Sequence, residues 1–195
     1  MTGHVPTERA EDAIRLIFYT LGSHRSYVAR MPKPRIRGRL APKKQDTVQI
    51  QRQATLLRLV SITESFCAGR LIARAEESIG APGSQVMTHV WERASLDATG
   101  TWEAQKDAYR KWLGVKPDWQ VLDGLAEARN AVAHGLGALT RRQVKSHAST
   151  MTKINRTGIA VIDDVLILSD NDLLSAARAC RDLISEVDSQ TASFP

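Results

Sequence analysis

Residues 122–135, with the sequence LDGLAEARNAVAHG, are the stretch that decides how the chain folds. At about 100° per residue, their apolar side chains form one stripe, which predicts an amphipathic helix packed on a core. The stripe consists of Leu122, Leu125, Ala128 and Val132. Asn130 and His134 share a neighbouring face of this helix. Arg129 points about 20° from Leu122, so its guanidinium lies along the edge of the stripe and needs a partner.

A second helix offers a partner for Arg129. The longest periodic segment, residues 46–79, has inward positions three and four residues apart. They are Leu57, Val60, Glu64, Cys67 and Leu71. A carboxylate at a core position is normally paired, so we expect Glu64 to contact Arg129. Two alternatives stay open: Glu64 reaches water at the edge of the interface, or it pairs with Arg70 or Lys106.

The rest of the chain predicts more helices and one short hairpin. An amphipathic pattern over residues 7–21 is expected to end at Gly22, and residues 46–79 form one helix or two with a slight break near Gly69. β-Branched runs joined by Asp163 and Asp164 predict a hairpin. Further helices are predicted over residues 84–98, 101–113, 118–135, 140–150 and from 169 onward. The fold class is therefore all-α, an antiparallel helical bundle with a small β-hairpin before the C-terminal helix.

Composition indicates a single domain over residues 1–195, since 43% hydrophobic residues suffice for a sizeable core. The formal charge of +6 favours an anionic partner, with nucleic acid first. Cys67 and Cys180 are far apart and suggest neither a disulfide framework nor a zinc site. Without a signal peptide or a long apolar run, we expect a cytoplasmic protein that has no membrane contact. We expect no metal and no cofactor.

A run of basic residues, 25–45, contains no acidic residue, and prolines and a glycine interrupt it. We expect a mobile or extended loop. One interpretation is an arm that binds nucleic-acid phosphates, and the other is a solvated insertion that aids solubility. The basic residues are Arg25, Arg30, Lys33, Arg35, Arg37, Arg39, Lys43 and Lys44, and all but Arg25 are predicted to bind nucleic acid.

Other side chains are weaker candidates. The tryptophans fall among helical apolar positions, which favours a core or dimer-interface role over base stacking. They are Trp91, Trp102, Trp112 and Trp119. His89 and His147 lie on predicted helices as surface or packing residues, whereas His4 and His24 lie in segments expected to be flexible.

The pattern Arg129-Asn130-x-x-x-His134 resembles the signature of the HEPN superfamily, in which Arg, a polar residue, three spacers and His lie near the end of a bundle helix. The sequence LAEARNAVAHGLG, with predicted helices on both sides and a late hairpin, is most similar to the RiboL-PSP-HEPN and MAE-type HEPN-like nucleases. The resemblance covers the helical core and tail and not the basic loop. It implies a HEPN-like bundle, a homodimer whose two motifs form a composite site, and products with 2′,3′-cyclic phosphate and 5′-hydroxyl ends.

The three motif residues suit cleavage of RNA by its own 2′-hydroxyl. His134 serves as base or acid because an imidazole titrates near neutral pH. Arg129 stabilises charge on the phosphoryl oxygens, and Asn130 orients either group. The reaction needs no metal, and DNA is spared because it lacks the 2′-hydroxyl. We therefore expect a metal-independent endoribonuclease, a toxin or an anti-phage defence effector.

Two alternatives accompany this interpretation. A histidine in the last helical turn is also favoured electrostatically, by about 0.3–1 kcal/mol, without any catalytic role. The chain would then be a non-catalytic HEPN-type dimer that binds nucleic acid or a partner protein. In the other alternative, the protein is the toxin half of a toxin–antitoxin pair, and an antitoxin protein restrains it.

Overall fold

A computed structural model describes residues 5–31, 47–80 and 83–192, in which the chain forms eight helices and one antiparallel hairpin. In chain order the elements are α1 (Glu8–Arg30), α2 (Thr47–Ile79), α3 (Gln85–Thr99), α4 (Trp102–Trp112), α5 (Gln120–Gly135), α6 (Arg141–Lys145), α7 (His147–Asn155), β1 (Ala160–Ile162), β2 (Val165–Ile167) and α8 (Asp170–Ala192). The predicted all-α class is confirmed, together with the hairpin before the last helix. Within the described ranges, no helix combines the length and the apolar content that crossing a bilayer requires.

The central helix of the bundle is α2, which packs against α1, α4, α5 and α8. It runs without a break through Gly69. α1 is antiparallel to both α2 and α8, because His24 near its C-terminal end contacts Thr55 and Asp170 near the starts of those helices. α2 and α8 therefore run in the same direction. α5, which carries the motif, packs against α2, α7 and α8.

α1 continues past Gly22 for about two more turns, so the predicted stop at this glycine is wrong. The extension is held by packing. His24 is 1% exposed, with Nδ1 lying 3.1 Å from Thr55 Oγ1 and Nε2 lying 3.3 Å from Asp170 Oδ1. These tertiary contacts override the low helix propensity of glycine, about 1 kcal/mol. His24 is thus a buried residue and does not lie in a flexible segment.

This extension of α1 also moves the start of the predicted basic loop. Arg25 and Arg30 are helical residues, so a loop that begins at residue 25 is a wrong prediction. The other predicted nucleic-acid-binding residues lie outside the described residues; they are Lys33, Arg35, Arg37, Arg39, Lys43 and Lys44.

The hairpin holds the segment that follows α5. Its register pairs Ala160 with Ile167, Val161 with Leu166 and Ile162 with Val165. Asp163 and Asp164 form its turn with φ of 50° and 61°, the left-handed pair of a type I′ turn. Leu139 N donates to Asp164 O at 2.7 Å, and Leu166 N donates to Gly137 O at 2.8 Å. The C-terminal end of α5 is therefore anchored to the hairpin.

Capping boxes begin two of the later helices. Thr140 and Gln143 form one at α6, and Ser169 and Asp172 form another at the start of α8. The single helix predicted over residues 140–150 is instead two helices, α6 and α7, which meet at Ser146.

Candidate functional site

α5 presents the predicted motif while its opposite face is buried. The predicted stripe is buried at every position: Leu122 (2% exposed), Leu125 (1%), Ala128 (0%) and Val132 (7%). On the α7 side, Gly124 allows close approach, since a Cβ there would lie 2.3 Å from Lys153 O. These contacts fix the rotation of α5 about its axis. They thereby set the directions in which Arg129, Asn130 and His134 project.

The predicted contact between Glu64 and Arg129 is present. Arg129 Nη2 donates to Glu64 Oε2 at 2.8 Å, and Arg129 Nη1 donates to Asn130 Oδ1 at 2.9 Å. The Arg129 side chain is 30% exposed and that of Glu64 is 19% exposed, so the pair lies at the edge of the helix interface and still reaches solvent. The other proposed partners are engaged elsewhere, Arg70 with a carboxylate on α8 and Lys106 with carboxylates on α4 and α5.

Burial raises the pKa of Glu64 above the ordinary glutamate value, although the charge and hydrogen bond of Arg129 act in the opposite direction. Desolvation therefore outweighs the attraction within this ion pair. An ion pair of this kind adds little to stability. Its structural consequence is that two of the five N–H groups that an arginine carries are committed, which orients the guanidinium of Arg129.

His134 is exposed in the last turn of α5 and makes no hydrogen bond or ion pair with the part of the chain that the structure describes. The helix ends at Leu136, which adopts the left-handed conformation with φ 53°. Gly137 N then donates to Ala131 O at 3.1 Å and closes the helix end. The imidazole is thus displayed on a well-anchored helix end.

A cleft of about 580 Å³ lies beside the ion pair, between α2, the start of α4 and α5. Glu64, Arg129 and Asn130 all line it, and His134 does not. Asn130 and His134 are separated by about one helical turn. The structure therefore brings three of the four predicted residues together at one cleft and leaves His134 outside it, farther along the same helix.

The cleft also contains residues that the sequence did not single out as site residues. They are Gln105 at the start of α4, Arg142 on α6 and Lys153 on α7. Trp102, which was considered for base stacking, lines the cleft and also packs against the buried core. Helical periodicity places each of these residues on its own helix, but it does not show which helices meet around one cleft.

The two cysteines offer no reactive thiol, because both are buried and free. Burial raises the pKa of the Cys180 thiol to about 12 and raises that of Cys67 as well. Among the described residues, no group of three or more His, Cys, Asp or Glu side chains is arranged to hold a metal ion.

No protein-family profile, curated protein or solved structure matches this chain. The resemblance to the HEPN superfamily therefore stays a prediction, carried by Arg129, Asn130 and His134. The structure contributes the setting of these residues: an oriented guanidinium at a cleft and an exposed imidazole on the same helix.

Proposed function

We propose that this protein is a metal-independent endoribonuclease that cleaves RNA by attack of the 2′-hydroxyl on the adjacent phosphodiester. The products would carry 2′,3′-cyclic phosphate and 5′-hydroxyl ends. One observation carries the proposal: Glu64 and Asn130 hold Arg129 at a cleft, and His134 is exposed about one turn farther along the same helix.

Arg129 is suited to phosphate because its committed N–H groups leave three others for a ligand. A guanidinium matches the spacing of phosphoryl oxygens and keeps its charge at every physiological pH. Its place is fixed before the substrate arrives, so it can stabilise the charge that develops on those oxygens without reorganising. Asn130 orients the guanidinium through its side-chain oxygen.

His134 is the candidate acid or base, and one copy of the motif supplies a single imidazole. The reaction removes a proton from the 2′-hydroxyl and delivers one to the departing 5′-oxygen. A homodimer with two motifs side by side would supply both groups, as the HEPN resemblance implies. The exposed position of His134 outside the cleft lining is compatible with a site completed by a second copy.

The second candidate function is a non-catalytic dimer that binds RNA or a partner protein through the same surface. The observation that favours it is that the cleft lining includes Arg129 and Asn130 without His134. In either case we place the protein in the cytoplasm. If it cleaves cellular RNA there, a toxin or anti-phage role restrained by an antitoxin protein is the expected biological setting.

The test is cleavage of a mixed RNA pool in EDTA, with a DNA pool of matched sequence. We expect wild type to cut RNA alone and to leave cyclic phosphate ends. Arg129→Ala should lower the rate by about 10²–10³-fold, as removal of a charge-stabilising donor does. His134→Ala should lower it by about 10²–10⁴-fold, as loss of a general acid or base does.

Two exposed residues provide matched controls, Arg141→Ala for the arginine and His147→Ala for the histidine. Both should cut RNA at the wild-type rate. If wild type binds RNA in a salt-dependent manner and leaves it whole, and His134→Ala binds equally well, the nuclease proposal fails and the binding module replaces it.

A further inference from the structure

Gln105 contributes an unusual group to the wall of the cleft. The residue is 5% exposed and lines the cleft, yet its amide oxygen is buried without a hydrogen-bond partner in the described part of the chain. Folded proteins rarely leave a buried acceptor unpaired, and such an exception calls for a specific explanation. The oxygen itself has almost no accessible surface, so the amide must turn toward the cleft to meet a ligand. A ligand that offers an N–H or O–H group at this wall would then supply the missing partner.

The charged residues of the cleft narrow the class of ligand. Every carboxylate in the lining already has a cationic partner. The pairs are Glu64–Arg129 (2.8 Å), Glu103–Lys106 (2.9 Å), Asp123–Lys106 (2.6 Å) and Glu127–Lys153 (3.0 Å). Arg142 is exposed, lines the same cleft and pairs with no carboxylate among the described residues. Four carboxylates and three cations line the cleft, and Lys106, which lies outside the lining, serves two of the carboxylates, so the lining carries no net positive charge. The group that suits an anion such as a phosphate is therefore Arg142 itself.

An aromatic ring completes the lining. Trp102 lines the cleft, and its indole N–H donates to Asp123 Oδ1 at 3.0 Å. Its ring also packs edge-on against Trp119, with centroids 5.3 Å apart. Both contacts hold the ring in one orientation. A fixed aromatic surface beside an amide and a free arginine is the combination with which proteins bind an unstacked base of single-stranded RNA.

We propose that this cleft is a nucleobase-binding subsite for RNA, in which the Gln105 amide hydrogen-bonds the edge of one base and Arg142 contacts a phosphate. The Gln105 oxygen accepts from an N–H of the base, and the amide nitrogen donates to the neighbouring ring nitrogen or carbonyl. Adenine is the expected base, because a glutamine amide matches its N6 and N7 positions. The choice of RNA as ligand rests on the proposed function, and the subsite adds a determinant of sequence preference.

Equilibrium binding of the four ribonucleoside 5′-monophosphates to the full-length protein tests the subsite. Wild type should bind AMP more tightly than CMP, GMP or UMP, by about 5–150-fold if the amide pair forms fully. Gln105→Leu should bind the four nucleotides with equal affinity. It should unfold at no lower temperature than wild type, because leucine removes an unsatisfied group. Gln85→Leu, at an exposed position on α3, is the control and should keep the wild-type preference.

Arg142→Ala is a second variant whose folding is not in question, since the side chain is exposed. It should weaken binding of all four nucleotides by a similar factor and leave the preference for AMP unchanged. A base preference that survives in Gln105→Leu, or equal binding of the four nucleotides by wild type, would overturn the proposal.

Cleavage of an RNA pool by the same protein samples separates this proposal from the nuclease proposal. RNA cleavage together with equal nucleotide binding means that the subsite is wrong and the nuclease stands. Base-selective binding without cleavage, lost in Gln105→Leu, means that the subsite stands and the nuclease is wrong. His134→Ala should keep the base preference in both cases, because His134 does not line the cleft.

Discussion

Two of the ion pairs that join α2 to its neighbours differ in their surroundings. Arg70 pairs with Asp188 on α8, where the Asp188 side chain is 1% exposed. Asp188 also accepts hydrogen bonds from the backbone nitrogen and the hydroxyl of Thr7, at 2.8 and 2.7 Å. Glu64 pairs with Arg129 on α5, where the two side chains keep 19% and 30% of their exposure and face a cleft.

The first pair lies inside the bundle, and the second lies at the cleft of the candidate site. Asp188, on α8, binds Thr7 at the start of α1 and Arg70 on α2, so its carboxylate joins three helices. Arg129 keeps free donors toward the cleft, and burial raises the pKa of its partner Glu64. Perturbed carboxylates beside an open cleft are frequent at functional sites, whereas fully enclosed pairs hold structure together.

The largest effect on stability is expected from Asp188→Ala. It would leave Arg70, itself 11% exposed, and Thr7 without their shared acceptor. Removing one partner of a buried ion pair lowers the free energy of unfolding by about 3–5 kcal/mol. Urea denaturation measures this change, and the exposed Asp182→Ala on the same helix should change it by less than about 0.5 kcal/mol.

If the two pairs have the roles assigned to them, folded Asp188→Ala protein cleaves RNA at the wild-type rate. A stability loss below about 1 kcal/mol would mean that the Asp188 cluster is not the structural lock described above. A loss of cleavage at full folding would mean that the two pairs are coupled and that the comparison between them fails.

Gly124→Ala is expected to have the next largest effect on stability, because it displaces α5, the helix that carries Arg129. The added Cβ would lie 2.3 Å from Lys153 O and 2.6 Å from Thr157 Cγ2, so α5 and α7 must separate. Overpacking of this kind lowers the free energy of unfolding by about 1–3 kcal/mol. Thermal unfolding and RNA cleavage should both fall, since the shift of α5 stretches the Glu64–Arg129 contact and leaves the Arg70–Asp188 contact alone.

Gly22→Ala is the matched control for this substitution. Gly22 is also a helical glycine, but within the described ranges no side chain and no backbone atom of another element lies within 4 Å of the position that its Cβ would take. Alanine there should raise stability by about 0.5–1 kcal/mol through helix propensity alone, with cleavage unchanged. Equal changes in stability and in RNA cleavage in the two variants would show that the close approach of α5 and α7 does not set the position of Arg129.

The sequence was sufficient for several elements that carry a strong signal of their own. Spacings of three and four residues predicted α2 and α5, and an Asp-Asp turn predicted the hairpin. The Glu64–Arg129 contact was predictable as well, because a charge on an apolar face needs a partner and few helices offer a carboxylate at an inward position.

The sequence was insufficient where distant segments meet. Thr7 and Asp188 are 181 positions apart, and no local pattern pairs them. His24 looked flexible because Gly22 precedes it, but contacts from α2 and α8 bury it. Gln105 has no motif of its own, and only the arrangement of α2, α4 and α5 around one cleft shows that its amide oxygen lacks a partner.

The smallest effect on stability is expected from Glu64→Gln, and its pH dependence is the sharpest probe of the second ion pair. The folded-state pKa of Glu64 is raised, so its contribution to stability is present below the ordinary glutamate pKa and is lost as pH rises through the raised value. Glutamine does not titrate. Urea denaturation at about pH 4 and about pH 7 should therefore show wild type losing stability relative to Glu64→Gln toward neutral pH, by less than about 1 kcal/mol.

The rate of RNA cleavage should be lower in Glu64→Gln than in wild type, because the neutral amide holds the Arg129 guanidinium less firmly than a carboxylate does. We expect Glu64→Gln to be at least as stable as wild type at neutral pH and slower at cutting RNA, whereas Glu92→Gln, an exposed change on α3, should alter neither property. If wild type instead gains stability over Glu64→Gln as pH rises, the attraction of Arg129 outweighs the burial of Glu64. The pair would then stabilise the bundle as the Arg70–Asp188 pair does, and its place beside the cleft would no longer indicate a site.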